Sequence, residues 1–216
     1  METKKNITKP LIIYAVLFYI IWAVYTLLLS PVIDEAAPNP WIKNSIEAVI
    51  KFAVWTVPSF LFIHKYNDDL HIKSPDMFRN KFRMEWIMLP VLLGAYAAMG
   101  NKLTIHAAWP DCIDYIMAGF AEELLFRGLF LNAIVKGDTL KEQAPAIIAS
   151  SVFFAMIHYP IWIKEGHFAQ NIIVGTIFIS LLGAVFAVSF LKSRNIVLVM
   201  AAHAVYDLIF IFHKVQ

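Results

Sequence analysis

Long windows without a single charge alternate with short polar connections along this 216-residue chain. Leu11 to Ser30 and Ile172 to Leu191 contain no Asp, Glu, Lys or Arg at all. Twenty residues at 1.5 Å each span roughly 30 Å, the thickness of a bilayer's hydrocarbon core. The pattern predicts about seven helical spans, near 11–30, 45–64, 86–108, 113–135, 144–163, 172–191 and 195–212. Two of these are interrupted. Glu47 and Lys51 fall in the second, and Pro90, Asn101, Lys102 and His106 in the third, where a tilted, broken or partly interfacial helix is expected.

The Lys and Arg residues in the connections orient such a bundle. With the N-terminus cytoplasmic, twelve of them fall on the inner side and four (Lys43, Lys102, Lys164, Lys214) on the outer side. The fold class expected is therefore an all-α, polytopic membrane bundle, with residues 1–216 forming one membrane domain. Composition agrees. Hydrophobic residues make up 60% and charged residues 16%, against about a half and a quarter in soluble domains. The slight net charge of +2 follows from this topology and calls for no nucleic-acid partner. The single cysteine, Cys112, excludes an internal disulfide and any Cys-based metal site. The first apolar stretch follows a basic start but is longer than a signal peptide's apolar region, so it is expected to be a retained span. The basic stretch 65–85 is expected to serve topology first and lipid-headgroup contact second.

Against this background three interruptions stand out. "AGFAEELLFRGLF", residues 118–130, places Glu122, Glu123 and Arg127 inside an apolar run. Ionised groups at a span's centre cost about 2.5–3.5 kcal/mol each on insertion scales, so they must be paired or used. Positions 123 and 127 share a helix face, which predicts a Glu123–Arg127 ion pair. Glu122 points about 100° away, into the bundle, where a carboxylate beside a charged pair suits a general base. "SVFFAMIHYP" puts Phe154 and His158 four apart, and "VMAAHAVYDLIF" does the same for His203 and Asp207. Alone, a His such as His158 is more often a hydrogen-bonded packing residue than a catalytic one, and an Asp orienting a His across one turn also serves helix packing.

Counted from the proposed cytoplasmic ends, Glu122, His158 and His203 lie roughly 20, 21 and 12 Å deep, so one layer of the membrane can hold all three. Carboxylates, two imidazoles and an Arg in one cavity form the inventory for activating water, and amide hydrolysis is the natural reaction for a membrane enzyme receiving peptides. His158, His203 and one carboxylate match a catalytic zinc site in ligand type. A metal-independent glutamate mechanism fits the same residues equally, and the cofactor is open between them.

The ordered set Glu122-Glu123-x-x-x-Arg127, Phe154-x-x-x-His158 and His203-x-x-x-Asp207 resembles the CAAX-processing and bacteriocin-processing intramembrane proteases, also known as the Abi or type II CAAX endopeptidase family. The resemblance covers residues 86–212 as the protease core. It implies an integral membrane endopeptidase acting on membrane-associated peptides. Glu122 and His158 would be the water-activating pair, Glu123 and Arg127 the electrostatic support, and His203 with Asp207 the oxyanion-stabilising or metal-binding group. The family's last motif often ends in Asn, whose amide donates to an oxyanion, whereas an ionised Asp207 only accepts. The compact chain looks more like bacterial members, in a bacterial cell membrane, with peptide maturation, bacteriocin self-immunity and envelope processing open as roles. Two other classes compete. Buried Glu, His and Asp also mark proton- or cation-coupled transporters, although no matched pair of broken helices supports one. A non-catalytic immunity or scaffold protein would need no catalytic residues at all.

Two packing features complete the reading. Thr176, Ser180 and Ala184 recur every four residues, a small-residue stripe that lets helices approach closely. Pro160 is expected to kink or end the helix just after His158.

Overall fold

A computed structural model describes residues 7–78 and 110–214, with side chains described as far as Asp207. Regular structure among the described residues is entirely helical. The long elements are α1 (Thr8–Ala36), α2 (Pro40–Lys65), α4 (111–134), α5 (Leu140–Lys164), α7 (Val174–Ser193) and α8 (Ile196–Lys214); two single turns, α3 (Ser74–Met77) and α6 (Phe168–Asn171), lie between them. Four of these, α1, α2, α5 and α7, are long and apolar enough to cross a membrane. The expected spans 11–30, 45–64 and 144–163 fall within α1, α2 and α5, and that expected at 172–191 overlaps α7 from Val174 onward. The expected spans 113–135 and 195–212 correspond to α4 and α8; α4 is less apolar than the other four because it carries Glu122, Glu123 and Arg127. The span expected at 86–108 lies outside the described residues.

Burial follows helical period. On α1 the residues turned inward are Leu11, Phe18, Trp22 and Tyr25, while Ile13, Leu17, Ile20 and Leu28 stay on the outer surface, the pattern of a helix with one face on protein and the rest on lipid. Helix α7 is divided along its length. Val174, Ile177, Phe178 and Leu181 are exposed, and Gly183, Phe186, Ala187 and Phe190 are buried. Its half-buried stripe of Thr176, Ser180 and Ala184 runs beside the close contact at Gly183. A Cβ there would stand 3.1 Å from Phe154 Cδ1 and 3.2 Å from Ser151 Cβ of α5.

Paired contacts give the directions of the helices. Tyr14 bonds Ser59 and Phe18 packs edge-on against Trp55, so α1 and α2 run antiparallel. Trp22 Nε1 donates to Ile157 O at 2.8 Å and Lys164 reaches Ser30 Oγ at 2.7 Å, which makes α1 and α5 parallel. Asn44 meets Asp111 and Lys51 meets Asp114, each at 2.8 Å, and Ile63 lies beside Gly128. The partners advance together, so α2 and α4 are parallel. Helix α8 runs against α4 at a close crossing, where a Cβ on Gly119 would sit 2.7 Å from the Ala204 backbone nitrogen. Only glycine lets the two backbones come this near.

Two of the long helices are irregular where the charged motifs lie. Helix α4 widens to π-type turns over Leu124–Leu131, immediately after Glu123, the kind of irregularity that recurs at functional sites. Helix α5 ends its first segment at Met156, turns through Ile157 and His158, and resumes at Tyr159–Lys164 with Pro160 in its first turn. The break expected at Pro160 therefore falls at His158 itself, because proline suits a new first turn and not a helix interior.

Candidate active site

Glu123 is the hub of the charged residues. Its Oε1 accepts from Arg127 Nη1 at 2.9 Å and from His203 Nδ1 at 2.7 Å. The Glu123 and Arg127 side chains are 0% and 1% exposed. Arg127 Nη2 also donates to Gly183 O at 3.0 Å, so this one guanidinium ties α4 to α7. The guanidinium lies 4.4 Å from the Phe154 ring centre and 5.4 Å from that of Phe186, where ring faces favour a cation.

His203 is fixed on every side. Phe186 stacks on its ring at 4.9 Å, and Phe154 meets it edge-on at 5.7 Å. Its Nε2 faces Asp207 Oδ2 at 3.4 Å and Glu122 Oε2 at 4.0 Å. Both ring nitrogens therefore look at carboxylates, which only accept when ionised, so both are set up to carry hydrogen. The closest partner of His203 is Glu123, 80 positions away, and not Asp207 one turn along its own helix. Sequence spacing pairs His203 with Asp207; the crossing of α8 over α4 makes Glu123 the stronger partner.

His158 joins this group from α5. Its Nδ1 lies 3.3 Å from the Phe154 carbonyl oxygen, which assigns the hydrogen to Nδ1 and leaves a lone pair on Nε2. The His158 ring meets Phe154 edge-on at 5.7 Å, the same distance at which Phe154 meets His203, so the two imidazoles flank one phenyl ring. No ion pair joins His158 directly to Glu122 among the described residues. Of the six residues expected at the site, Glu122, Glu123, Arg127, His203 and Asp207 are linked by polar contacts of 4.0 Å or less. His158 adjoins them through Phe154. Glu122 itself is buried, with 12% of its side chain accessible. No group of three or more His, Cys, Asp or Glu side chains spaced to hold a metal ion is found among the described residues, and no step below passes through one.

Sequence reasoning missed Lys51 and Asp114. Their side chains, 12% and 25% exposed, pair at 2.8 Å between α2 and α4. The signal for this pair is a Lys in an apolar window, the same kind of signal that singles out Glu122.

Residues 104–209 match a family model described as type II CAAX prenyl endopeptidase, Rce1-like. The second half of the chain is thus similar to this family. All six expected site residues fall within the Rce1-like match, which begins after α2. Four helices long and apolar enough to cross a membrane mark the chain as an integral membrane protein, and residues 104–209 make its second half similar to an endopeptidase family. No curated protein and no solved structure matches the chain.

Proposed function

We propose that the chain hydrolyses a peptide bond of a membrane-associated peptide with water activated by Glu122. The observation that carries this reading is the convergence of Glu122, His203 and Asp207 within 4.0 Å from two crossing helices, with His203 clamped from behind by Glu123. A reacting carbonyl placed beside Glu122 would meet the Nε2–H of His203, aimed at the position where negative charge develops on its oxygen. Water attacks the carbonyl carbon as Glu122 takes one of its protons. The tetrahedral oxyanion is held by His203, the carbon–nitrogen bond breaks, and Glu122 returns its proton to the departing amine. His158, with its Nε2 lone pair free, accepts a hydrogen bond from the attacking water. Glu123 and Arg127 do no chemistry of their own; Arg127 holds Glu123, and Glu123 holds the His203 ring in place with hydrogen on Nδ1. Substrates of this reading are peptides delivered within or along the bilayer, as in peptide maturation or self-immunity.

The test compares membrane peptides from cells making the wild-type chain with those from cells making Glu122→Gln. The amide is isosteric but no base, and general-base loss costs about 10²–10⁴-fold in rate. Fragments present with the wild type and absent with the variant would name both activity and substrate. Identical peptide profiles, with both proteins inserted at equal level, would overturn the reading.

A further inference from the structure

A cavity of about 370 Å³ opens at the end of the bundle where α5 begins and α7 stops, within the size range of small-ligand pockets, about 300–1,000 Å³. Leu140, Val188 and Leu191 form an apolar wall, and Lys192, Arg194, His71 and Asp138 a polar one. Both α5 and α7 are long and apolar enough to cross a membrane, so a cavity where one starts and the other ends lies at the membrane surface. Helices α1 and α5 are parallel, which puts the cavity on the side where α1 starts. The excess of Lys and Arg in the connections assigns that side to the cytoplasm.

Arg194 stands there against the preference of its backbone. It caps α7 in the left-handed region, at φ 51° and ψ 31°, and is the one non-glycine residue with positive φ among the described residues. Helices that end this way usually do so on glycine, which has no Cβ to clash. An arginine at such a position puts a guanidinium where glycine would put nothing, and a departure of this kind points to use of the side chain. Asp138 does not engage that guanidinium closely. Its side chain is 82% exposed, and its Oδ1 lies 3.8 Å from Arg194 Nη2 and 3.7 Å from His71 Nε2, beyond hydrogen-bond distance of either. Lys192 and Arg194 against one carboxylate leave the polar wall net positive.

We propose that this cavity binds the headgroup of an anionic phospholipid of the cytoplasmic leaflet, with Arg194 and Lys192 on the phosphate and Leu140, Val188 and Leu191 against the start of the acyl chains. The planar fork of Arg194 suits two phosphate oxygens, and Lys192 adds a point charge. A basic pocket between membrane-crossing helices on the cytoplasmic side is the setting in which such headgroups are recognised. An apolar wall beside the cations selects a lipid over a free phosphate. The inference stands apart from the hydrolytic reading of Glu122.

The experiment titrates the full chain, purified in a neutral detergent, with short-chain phosphatidylglycerol and counts the retained lipid by native mass spectrometry. Short-chain phosphatidylcholine, glycerol phosphate and an acidic peptide are the comparison ligands. Phosphatidylglycerol is expected to bind more tightly than all three. Arg194→Gly and Lys192→Gln should each weaken it by about fivefold, the effect of one cation at a membrane surface. Lys65→Gln, which removes an exposed lysine at the same end of the bundle but outside the cavity, should leave it unchanged. Arg194→Gly removes the side chain and the left-handed strain together, so its melting temperature should hold; if it falls, Lys192→Gln carries the test. Wild-type retention of phosphatidylglycerol by both cavity variants would overturn the proposal, as would an equal loss in Lys65→Gln, which would reduce the effect to diffuse surface charge. Glycerol phosphate binding as tightly as the lipid would overturn it by showing that the apolar wall plays no part, and an acidic peptide displacing the lipid would assign the cavity to a protein ligand instead.

Discussion

Gly119 of α4 and Ala204 of α8 stand so close that a methyl group on the first would come within 2.7 Å of the backbone nitrogen of the second. The atoms in the way belong to the main chain, so they cannot swing aside. One residue from Ala204 is His203, and one turn from Gly119 is Glu123. The crossing therefore sets the 2.7 Å contact between His203 Nδ1 and Glu123 Oε1.

It follows that Gly119→Ala should lower both stability and turnover, and Gly119→Val should do so more severely. Overpacking of this kind costs about 1–3 kcal/mol, and separation of the helices draws His203 off its carboxylate. Thermal melting in detergent and fragment production in membranes check the two effects. A Gly119→Val protein with the wild-type melting point and full activity would show that the crossing is looser than the structure has it.

The Glu123–Arg127 pair separates folding from catalysis. Glu123→Leu alone strands a fully buried guanidinium, at a cost of about 3–5 kcal/mol. Replacing both, as Glu123→Leu/Arg127→Leu, removes the stranded charge and should restore most of the stability. Activity should stay lost, because His203 no longer has the acceptor that orients Nδ1. Expression level and melting temperature report the first half of the expectation, and peptide cleavage the second. A double variant that recovers both would demote the pair to packing.

Asn132 pins the segment after α2 to the end of α4. Its side chain accepts from Ile72 N at 2.7 Å and donates to Ile72 O at 2.8 Å and Gly128 O at 3.2 Å, while its own carbonyl accepts from His71 N at 3.0 Å. The residue is fully buried. Asn132→Leu leaves the Ile72 groups without partners, and each unsatisfied buried group costs about 1–3 kcal/mol. A fall in stability of about 3 kcal/mol is expected in a denaturant or thermal series, with fragment production per folded molecule close to wild type. Equal loss of activity and stability would place this loop in the site.

What could be read in advance divides along the same lines. Glu122, Glu123, Arg127, His203 and Asp207 announce themselves because charge inside an apolar helix is expensive, and a four-residue spacing says which neighbours share a face. Periodicity says nothing about which helix a face will meet. Asn132 reads as an ordinary polar residue near a helix end, since its partner Ile72 is 60 positions away. Lys51 shows the same limit: its cost was visible, its partner Asp114 was not. The widened turns after Glu123 and the break at His158 are likewise properties of the packed bundle, and only Pro160 hinted at the second.

Asp207 offers the sharpest test of how His203 works. Its Oδ2 lies 3.4 Å from Nε2, close enough to accept from the ring and keep the hydrogen there. With Asp207→Asn, the side chain would still present an amide oxygen to Nε2 and could donate its own amide hydrogens to an oxyanion. This variant is therefore expected to keep kcat/KM within about tenfold of wild type, one order of magnitude being about 1.4 kcal/mol of barrier. Asp207→Leu removes every polar partner on that side and should cost about a hundredfold, the lower range for a lost oxyanion donor. Kinetics on a Glu122-dependent peptide distinguish the two. If the Asn variant is as damaged as the Leu variant, the charge of Asp207 is required, and its part lies in balancing the imidazolium and not in hydrogen bonding alone.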